Sequence, residues 1–194
     1  MCALPICTSR AFMGRNLDVF PDTFVCFDIE TTGLSPARDD IIEISALKLE
    51  DNKITDSFSR LIRINRPLPP FIRSLTGITD DMLRDGDCAE SVLADFCDFT
   101  AGYIVMGHNV RFDIGFVYDN CLSKLGTFFE NDYVDTLSVS RRLLKGLRHH
   151  RLDDIVEHFG IEGRTLHRAL GDVELTVKCY YKLREQAESA AALK

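Results

Sequence analysis

The sequence predicts an α/β domain in which a mixed β-sheet is covered by helices. Two patterns point there. The first third of the chain carries strand-like stretches joined by a tight turn, and the remainder interleaves short apolar runs with segments of helical period. A third observation bounds the architecture: 194 residues at 45% hydrophobic composition suit one domain with a self-sufficient core.

Phe24 to Ile29 is a short apolar run rich in strand-forming residues, and Ile41 to Leu49 and Ile54 to Ile64 alternate as half-buried strands do. Asp51 and Asn52 supply turn chemistry between the latter two, which predicts an antiparallel hairpin. Pro67, Pro69 and Pro70 then end the strand region. Ala89 to Phe99 places Val92, Leu93, Phe96 and Phe99 at helical spacing, and Tyr103 to Met106 follows as a buried strand. Phe112 to Leu125 reads as a helix, Tyr133-Val134 as a short strand, and Leu137 to Leu144, Leu152 to Phe159 and Ala169 to Glu188 as helices. Hairpin strands followed by β-α-β-α units imply the mixed sheet.

The apolar runs, Tyr103 to Met106 among them, are far too short for a bilayer core of about 30 Å, so no membrane association is expected. Cys2, Cys7, Cys26, Cys88, Cys97, Cys121 and Cys179 are scattered singly without a C-x-x-C pair, which argues for a reducing, cytoplasmic setting. Residues 1–22 lack the continuous apolar core of a secretory signal and read as a loosely ordered extension, with residues 188–194 as an Ala-rich tail. The formal charge of -7 is unusual for a nucleic-acid binder. If four acids share one metal site, two divalent cations cancel their charge and leave the loaded protein near -3.

Three short segments carry the chemistry. Asp28 and Glu30 stand two positions apart at the end of the first strand, so the period of two aims both side chains at one face. Desolvating two like charges side by side costs several kcal/mol per ion unless a cation or partner compensates. A lone D-x-E at a strand end more often fans its acids into solvent, but here Gly33 follows, suited to a tight exit where backbone approaches a ligand. The second segment, Gly107-His108-Asn109-Val110-Arg111-Phe112-Asp113, joins a strand to a helix and puts Asp113 near the first turn, where the helix dipole alone favours a carboxylate by roughly 0.3 to 1 kcal/mol. His108 read by itself is a hydrogen-bonded structural histidine and Phe112 a core aromatic. The third segment, His167-Arg168-Ala169-Leu170-Gly171-Asp172, opens the last helix; its spacing of five separates the His167 and Asp172 side chains by about 140°.

All three segments, in this order, resemble the DnaQ-like (DEDDh) 3′–5′ exonucleases. The resemblance runs from about residue 24 to residue 183 and includes Leu75-Thr76-Gly77-Ile78-Thr79-Asp80-Asp81-Met82, Ser140-Arg141-Arg142-Leu143-Leu144 and Leu152-Asp153-Asp154-Ile155. Within the family it is most similar to the proofreading exonuclease domain of PolC-type bacterial DNA polymerase III. Gly171, where an acid is common, and Gly107, where alanine is common, are departures that leave every expected ligand in place.

The resemblance implies a ribonuclease H-like fold with a central five-stranded mixed sheet, an exonuclease domain over residues 23–187, and hydrolysis of phosphodiester bonds from a 3′ end with release of nucleoside 5′-monophosphates. It implies that Asp28 bridges two cations, that Glu30 and Asp172 complete the first site and Asp113 the second, and that His167 is the general base. An all-oxygen ligand set selects Mg²⁺, with Mn²⁺ as a substitute. The backbone of Thr31 is expected at the terminal hydroxyl and Leu34 against the terminal base, with Thr76, Asn109 and Phe112 completing the pocket. Single-stranded or frayed 3′ ends of DNA are the expected partner, with a DNA polymerase subunit as a further one. The basic stretch of Arg141, Arg142, Lys145, Arg148 and Arg151 reads either as a solvated helix face or as part of the substrate path. Two other functions fit the fold: an RNA-trimming exoribonuclease, and an inactive nucleic-acid-binding or polymerase-anchoring module. The second would be expected to lack one of the five site residues, and all are present.

Overall fold

The computed structural model describes residue 10, residues 12–163 and residues 168–192. Its strands are β1 (Phe24–Thr31), β2 (Ile41–Glu50), β3 (Lys53–Leu61), β4 (Val105–Gly107) and β5 (Tyr133–Asp135). They form one five-stranded sheet in the order β3-β2-β1-β4-β5. β1, β2 and β3 pair antiparallel while β4 and β5 add in parallel, so the sheet is mixed as the sequence predicts. The β2–β3 hairpin turns on Asp51 and Asn52, both at positive φ (49° and 62°). A two-residue loop with this backbone matches the right-handed twist of its strands, and short polar side chains tolerate it.

The helices are α1 (Pro70–Thr76), α2 (Asp80–Arg84), α3 (Ala89–Thr100), α4 (Arg111–Asn120), α5 (Thr136–Leu143), α6 (Leu152–His158) and α7 (Ala169–Ala192). α4 continues through one π-helical turn, Cys121–Leu125. α1 and α2 are too short to register as a periodic pattern. Local chemistry starts them: a proline in the first turn of α1, and Thr79 accepting the Met82 amide at the start of α2. α7 runs past Glu188 to Ala192, through the first part of the expected tail, because its closing alanines have high helix propensity.

The alternation of β1 sorts the two layers. Val25, Phe27 and Ile29 face a core shared with α3 and α4, including Phe96, Ile114 and Phe116. Phe24 and Cys26 face the opposite core with Val173, Val177 and Tyr180 of α7. Asp28 and Glu30 continue this second set, and that parity brings them to α7.

Residues 10 and 12–22 differ from the loose extension expected of residues 1–22, of which residues 1–9 and 11 lie outside the described residues. The Leu17 amide donates to the Tyr133 carbonyl (2.7 Å) and the Tyr133 amide to the Arg15 carbonyl (2.9 Å), extending the sheet beside β5. Arg10 pairs with Asp119 at 2.9 Å, and the Tyr180 hydroxyl donates to the Pro21 carbonyl at 2.7 Å. The free edge of β5 supplied the main-chain partners that local sequence patterning does not show.

Candidate active site

Strand parity and a helix start assemble the acidic site. Asp28 and Glu30 leave β1 on the α7 side, and Asp172 sits in the first turn of α7. One carboxylate oxygen from each of the three lies within 4.8 Å of the others. Val173, next along α7, packs on β1 through its carbonyl, which accepts from the Cys26 thiol (3.9 Å).

Asp113 arrives from the other layer. β4 pairs with β1 only at Val25 and Cys26, so β1 runs on without a neighbour on that side. There the Ile29 amide, between the two acidic residues, donates to Asp113 Oδ1 at 3.3 Å. The first turn of α4 thus supplies a carboxylate where the strand ladder stops.

Burial and mutual repulsion perturb all three strand and α4 acids. Asp28 is held well above the usual carboxylate range, chiefly by burial and then by Asp113, Glu30 and Asp172. Burial also pushes Asp113 well up, against the hydrogen bonds from backbone amides that favour its charged form. Glu30 is raised to about 8 by burial, Asp172 and Glu43, with Arg168 opposing. Carboxylates packed this closely are compensated by protons or by cations. An all-oxygen donor set at this spacing fits hard divalent ions.

The expected substrate-pocket residues divide by exposure. Leu34 is 84% exposed on the β1–β2 loop. That loop is braced: Arg66 donates to Asp40 and to the Thr32 hydroxyl (both 2.7 Å), and the Ser35 amide donates to Asp39 (2.9 Å). A Cβ at Gly33 would lie 2.6 Å from the Asp39 carboxylate, so a larger residue would displace the side chain that accepts the Ser35 amide. The Thr31 hydroxyl is used internally, donating to the Gly33 carbonyl at 2.6 Å, and the Thr32 amide donates to the Asp40 carbonyl at 2.9 Å. Asn109 is exposed at φ 61°, its amide held by Asp135 Oδ1 at 2.8 Å. Phe112 is partly buried against Phe116, ring centroids 5.0 Å apart. Thr76 is 2% exposed, and its hydroxyl donates to the Ile72 carbonyl and accepts the Ile78 amide, so it shapes the α1–α2 corner. His167 lies outside the described residues.

His108 has the structural role its isolated reading gives it: Nδ1 lies 3.0 Å from the Thr136 hydroxyl and Nε2 lies 2.9 Å from the His150 carbonyl. The basic stretch is partly neutralised, with Arg142 on Asp18 (2.7 Å) and Arg151 on Asp154 (3.0 Å). Sequence reasoning passed over two supporting acids. Asp135 holds the Asn109 turn and caps α5 through the Leu137 amide and the Ser138 hydroxyl. Glu43, 2% exposed on β2, binds Arg168. The signal for Glu43 was present: one acid inside the apolar run Ile41-Ile42-Glu43-Ile44.

The chain is similar to several proteins of known kind. DNA polymerase III PolC-type of Caldanaerobacter subterraneus subsp. tengcongensis is 39% identical over 165 residues, 85% of this chain and 12% of that protein. The Bacillus subtilis PolC-type polymerase is 38% identical over 169 residues, 86% of this chain and again 12% of its own length. The chain therefore spans about an eighth of these relatives. Among solved structures, E. coli Exonuclease I in complex with a dT13 oligonucleotide superposes with a TM-score of 0.76 at 21% identity, over 89% of this chain and 43% of that one. Exonuclease X in complex with 5′ overhanging duplex DNA gives 0.62 at 23% identity, over 86% of this chain and 93% of that one. These two likenesses show the shared ribonuclease H-like fold. The profile of the RNase_T family, described as exonuclease, matches residues 25–180, so the chain belongs to that exonuclease family.

Proposed function

We propose that the chain is a metal-dependent 3′–5′ exonuclease that hydrolyses phosphodiester bonds at the 3′ end of DNA and releases nucleoside 5′-monophosphates. The observation that carries this reading is the convergence of Asp28, Glu30 and Asp172 within 4.8 Å, beside a buried Asp113, in an exonuclease-family chain. Asp28, Glu30 and Asp172 would hold one divalent cation and Asp28 with Asp113 a second, Mg²⁺ with Mn²⁺ as substitute. Cations bound there supply charge neutralisation at the phosphoryl oxygens and a template for in-line displacement.

The chain's own residues do the rest. The braced β1–β2 loop offers the Thr31 backbone to a terminal hydroxyl and the exposed Leu34 side chain to the last base. Asn109 and Phe112 flank the same end of the sheet, and Thr76 acts by holding the α1–α2 corner. Contacts to a terminus, a sugar and a base face carry little sequence information, so cleavage should be sequence-tolerant. His167 takes the proton of the attacking water, since an imidazole with a reference pKa near 6.5 is a better base at neutral pH than a solvated carboxylate. A cytoplasmic setting and a polymerase partner complete the reading. Among the described residues five cysteines are free thiols, and PolC-type polymerases carry the similar segment. Among the described residues no helix is long and apolar enough to cross a membrane.

The test is digestion of matched 3′-labelled linear and circular single-stranded DNA, with RNA and duplex controls. Mg²⁺-dependent release of mononucleotides from linear strands alone is expected, and full activity in excess EDTA, or equal cleavage of circles, sinks the proposal. His167→Ala should lower the chemical step by about 10² to 10⁴ while metal binding persists, with a residual rate that rises with pH as hydroxide replaces the base.

A further inference from the structure

Glu43 is a buried carboxylate that the proposed reaction does not use. It lies on β2 directly across the ladder from Glu30, and on a strand of hydrophobic neighbours it would be a costly residue without a purpose. Its oxygens are fully engaged with one short stretch of chain. Oε1 accepts Arg168 Nη2 at 3.0 Å, Oε2 accepts Arg168 Nε at 3.3 Å, and Oε2 also accepts the Ala169 amide at 3.3 Å.

Ala169 opens α7, and its amide is one of the donors that a helix start leaves without an intrahelical partner. The Arg168 carbonyl accepts the Asp172 amide at 3.2 Å, so Arg168 occupies the capping position. A side chain on β2 therefore caps α7 from outside and, through the planar guanidinium fork, fixes the residue that precedes it. On one side of this clamp in sequence is His167; on the other, one turn into α7, is Asp172.

We propose that Glu43 and Arg168 are a positioning pair for the hydrolysis reaction. By locking the first turn of α7 onto β2, they set where the Asp172 carboxylate stands against Asp28 and Glu30. The inference rests on the exonuclease reading of the site. Loss of either partner frees the helix start to shift, and misplacement by about 1 Å can cost on the order of 100-fold in rate. Glu43 also lies beside Glu30, so the guanidinium balances a carboxylate that would otherwise face the metal ligands uncompensated.

The experiment is a double-mutant cycle on the full chain with Glu43→Ala, Arg168→Ala and the pair. It reads single-turnover hydrolysis of a 3′-labelled single strand, the KM for that strand, Mg²⁺ affinity by calorimetry and the melting temperature. Each single variant should lose about 10- to 100-fold in kcat, the usual range for residues that support a site, with KM little changed. The double variant should be no worse than the weaker single one, because either substitution removes the same contact. If an alanine variant does not fold, Glu43→Gln and Arg168→Lys carry the same cycle: each keeps the size of its side chain, loses the bidentate fork, and should show a smaller loss in kcat.

Wild-type kcat in folded Glu43 variants, additive effects in the double variant, or a raised KM with unchanged kcat in Arg168→Ala would each overturn the proposal. The last result would make Arg168 a substrate contact. An unsubstituted protein that degrades no strand removes the exonuclease reading and the positioning role with it. An active unsubstituted protein with equally active variants removes the positioning role alone.

Discussion

In the metal-free protein Glu30 holds a proton at neutral pH, because burial and the nearby Asp172 and Glu43 raise it to about 8 from an ordinary 4.5. Between those values the folded chain binds a proton that the unfolded chain has released. The contribution of Glu30 to stability is therefore present below about pH 4.5 and is lost as the pH rises through about 8. Asp28 and Asp113 are shifted in the same direction and reinforce the slope. Melting temperature in EDTA should thus fall as pH rises toward 8, and saturating Mg²⁺ should stabilise the protein increasingly over that range because the ion displaces the retained protons. A constant Mg²⁺ effect across the range would show that these acids are not the ligands. Asp28→Asn should melt higher than the unsubstituted protein in EDTA and lose the Mg²⁺ response, since it removes a buried carboxyl crowded by other acids and a proposed ligand together. Asp28 and Glu30 stood out in the sequence because paired acids at the end of an apolar strand are costly, whereas Asp113 and Asp172, in helix first turns where a carboxylate is favoured anyway, stood out only through the resemblance of all three segments to one family. Glu43 and Asp135 were not singled out, because their partners, Arg168 and the Asn109 amide, come from distant parts of the chain.

Among the elements, β4 shows how tightly the second acid is placed. A Cβ at Gly107 would lie 2.7 Å from Val110 Cγ2 and 2.8 Å from the Phe27 carbonyl oxygen. Here Val110 fills space that an alanine at 107 would need, which gives the departure from alanine a packing cause. Gly107→Ala should destabilise by about 1 to 3 kcal/mol, as overpacking does, and should slow hydrolysis by moving the loop that leads to Asp113. Chemical denaturation and single-turnover rates check the two effects, and a neutral result would show that Val110 and β1 yield freely. Gly171 is the converse: a Cβ there meets nothing within 4 Å, so Gly171→Ala should stabilise α7 by about 0.5 to 1 kcal/mol. The long elements were legible from periodicity. α1 and α2 were not, because one or two turns carry too few residues for a period and are set by proline and threonine capping instead.

For the whole molecule, residues 12–22 are part of the folded unit. Leu17 and Phe20 pack against the α7-side core, and the Arg15 and Leu17 backbone pairs with Tyr133 at the sheet edge. Deleting residues 1–22 removes these contacts and leaves the Tyr180 hydroxyl without the Pro21 carbonyl. A loss of about 2 kcal/mol, or roughly 4 to 8 °C in melting temperature for a chain of this size, is expected. A deletion variant that melts with the full chain would show that the segment contributes nothing to stability. Sequence composition gave no sign of this docking, since an edge strand is recognised by its neighbour's free hydrogen-bonding groups and not by its own pattern.

The sequence by itself determined the class of fold and the order of the long strands and helices, because periodicity and turn chemistry are local properties, while the acids were singled out together through the resemblance of their three segments to one family. The tertiary structure decided which acids meet. The parity of β1 sends Asp28 and Glu30 to α7, and the early end of β4 opens the Ile29 amide to Asp113. It also decided that Glu43 grips the start of α7. These are contacts between residues about 84 to 144 positions apart, fixed by sheet register and helix docking, and no local pattern encodes them.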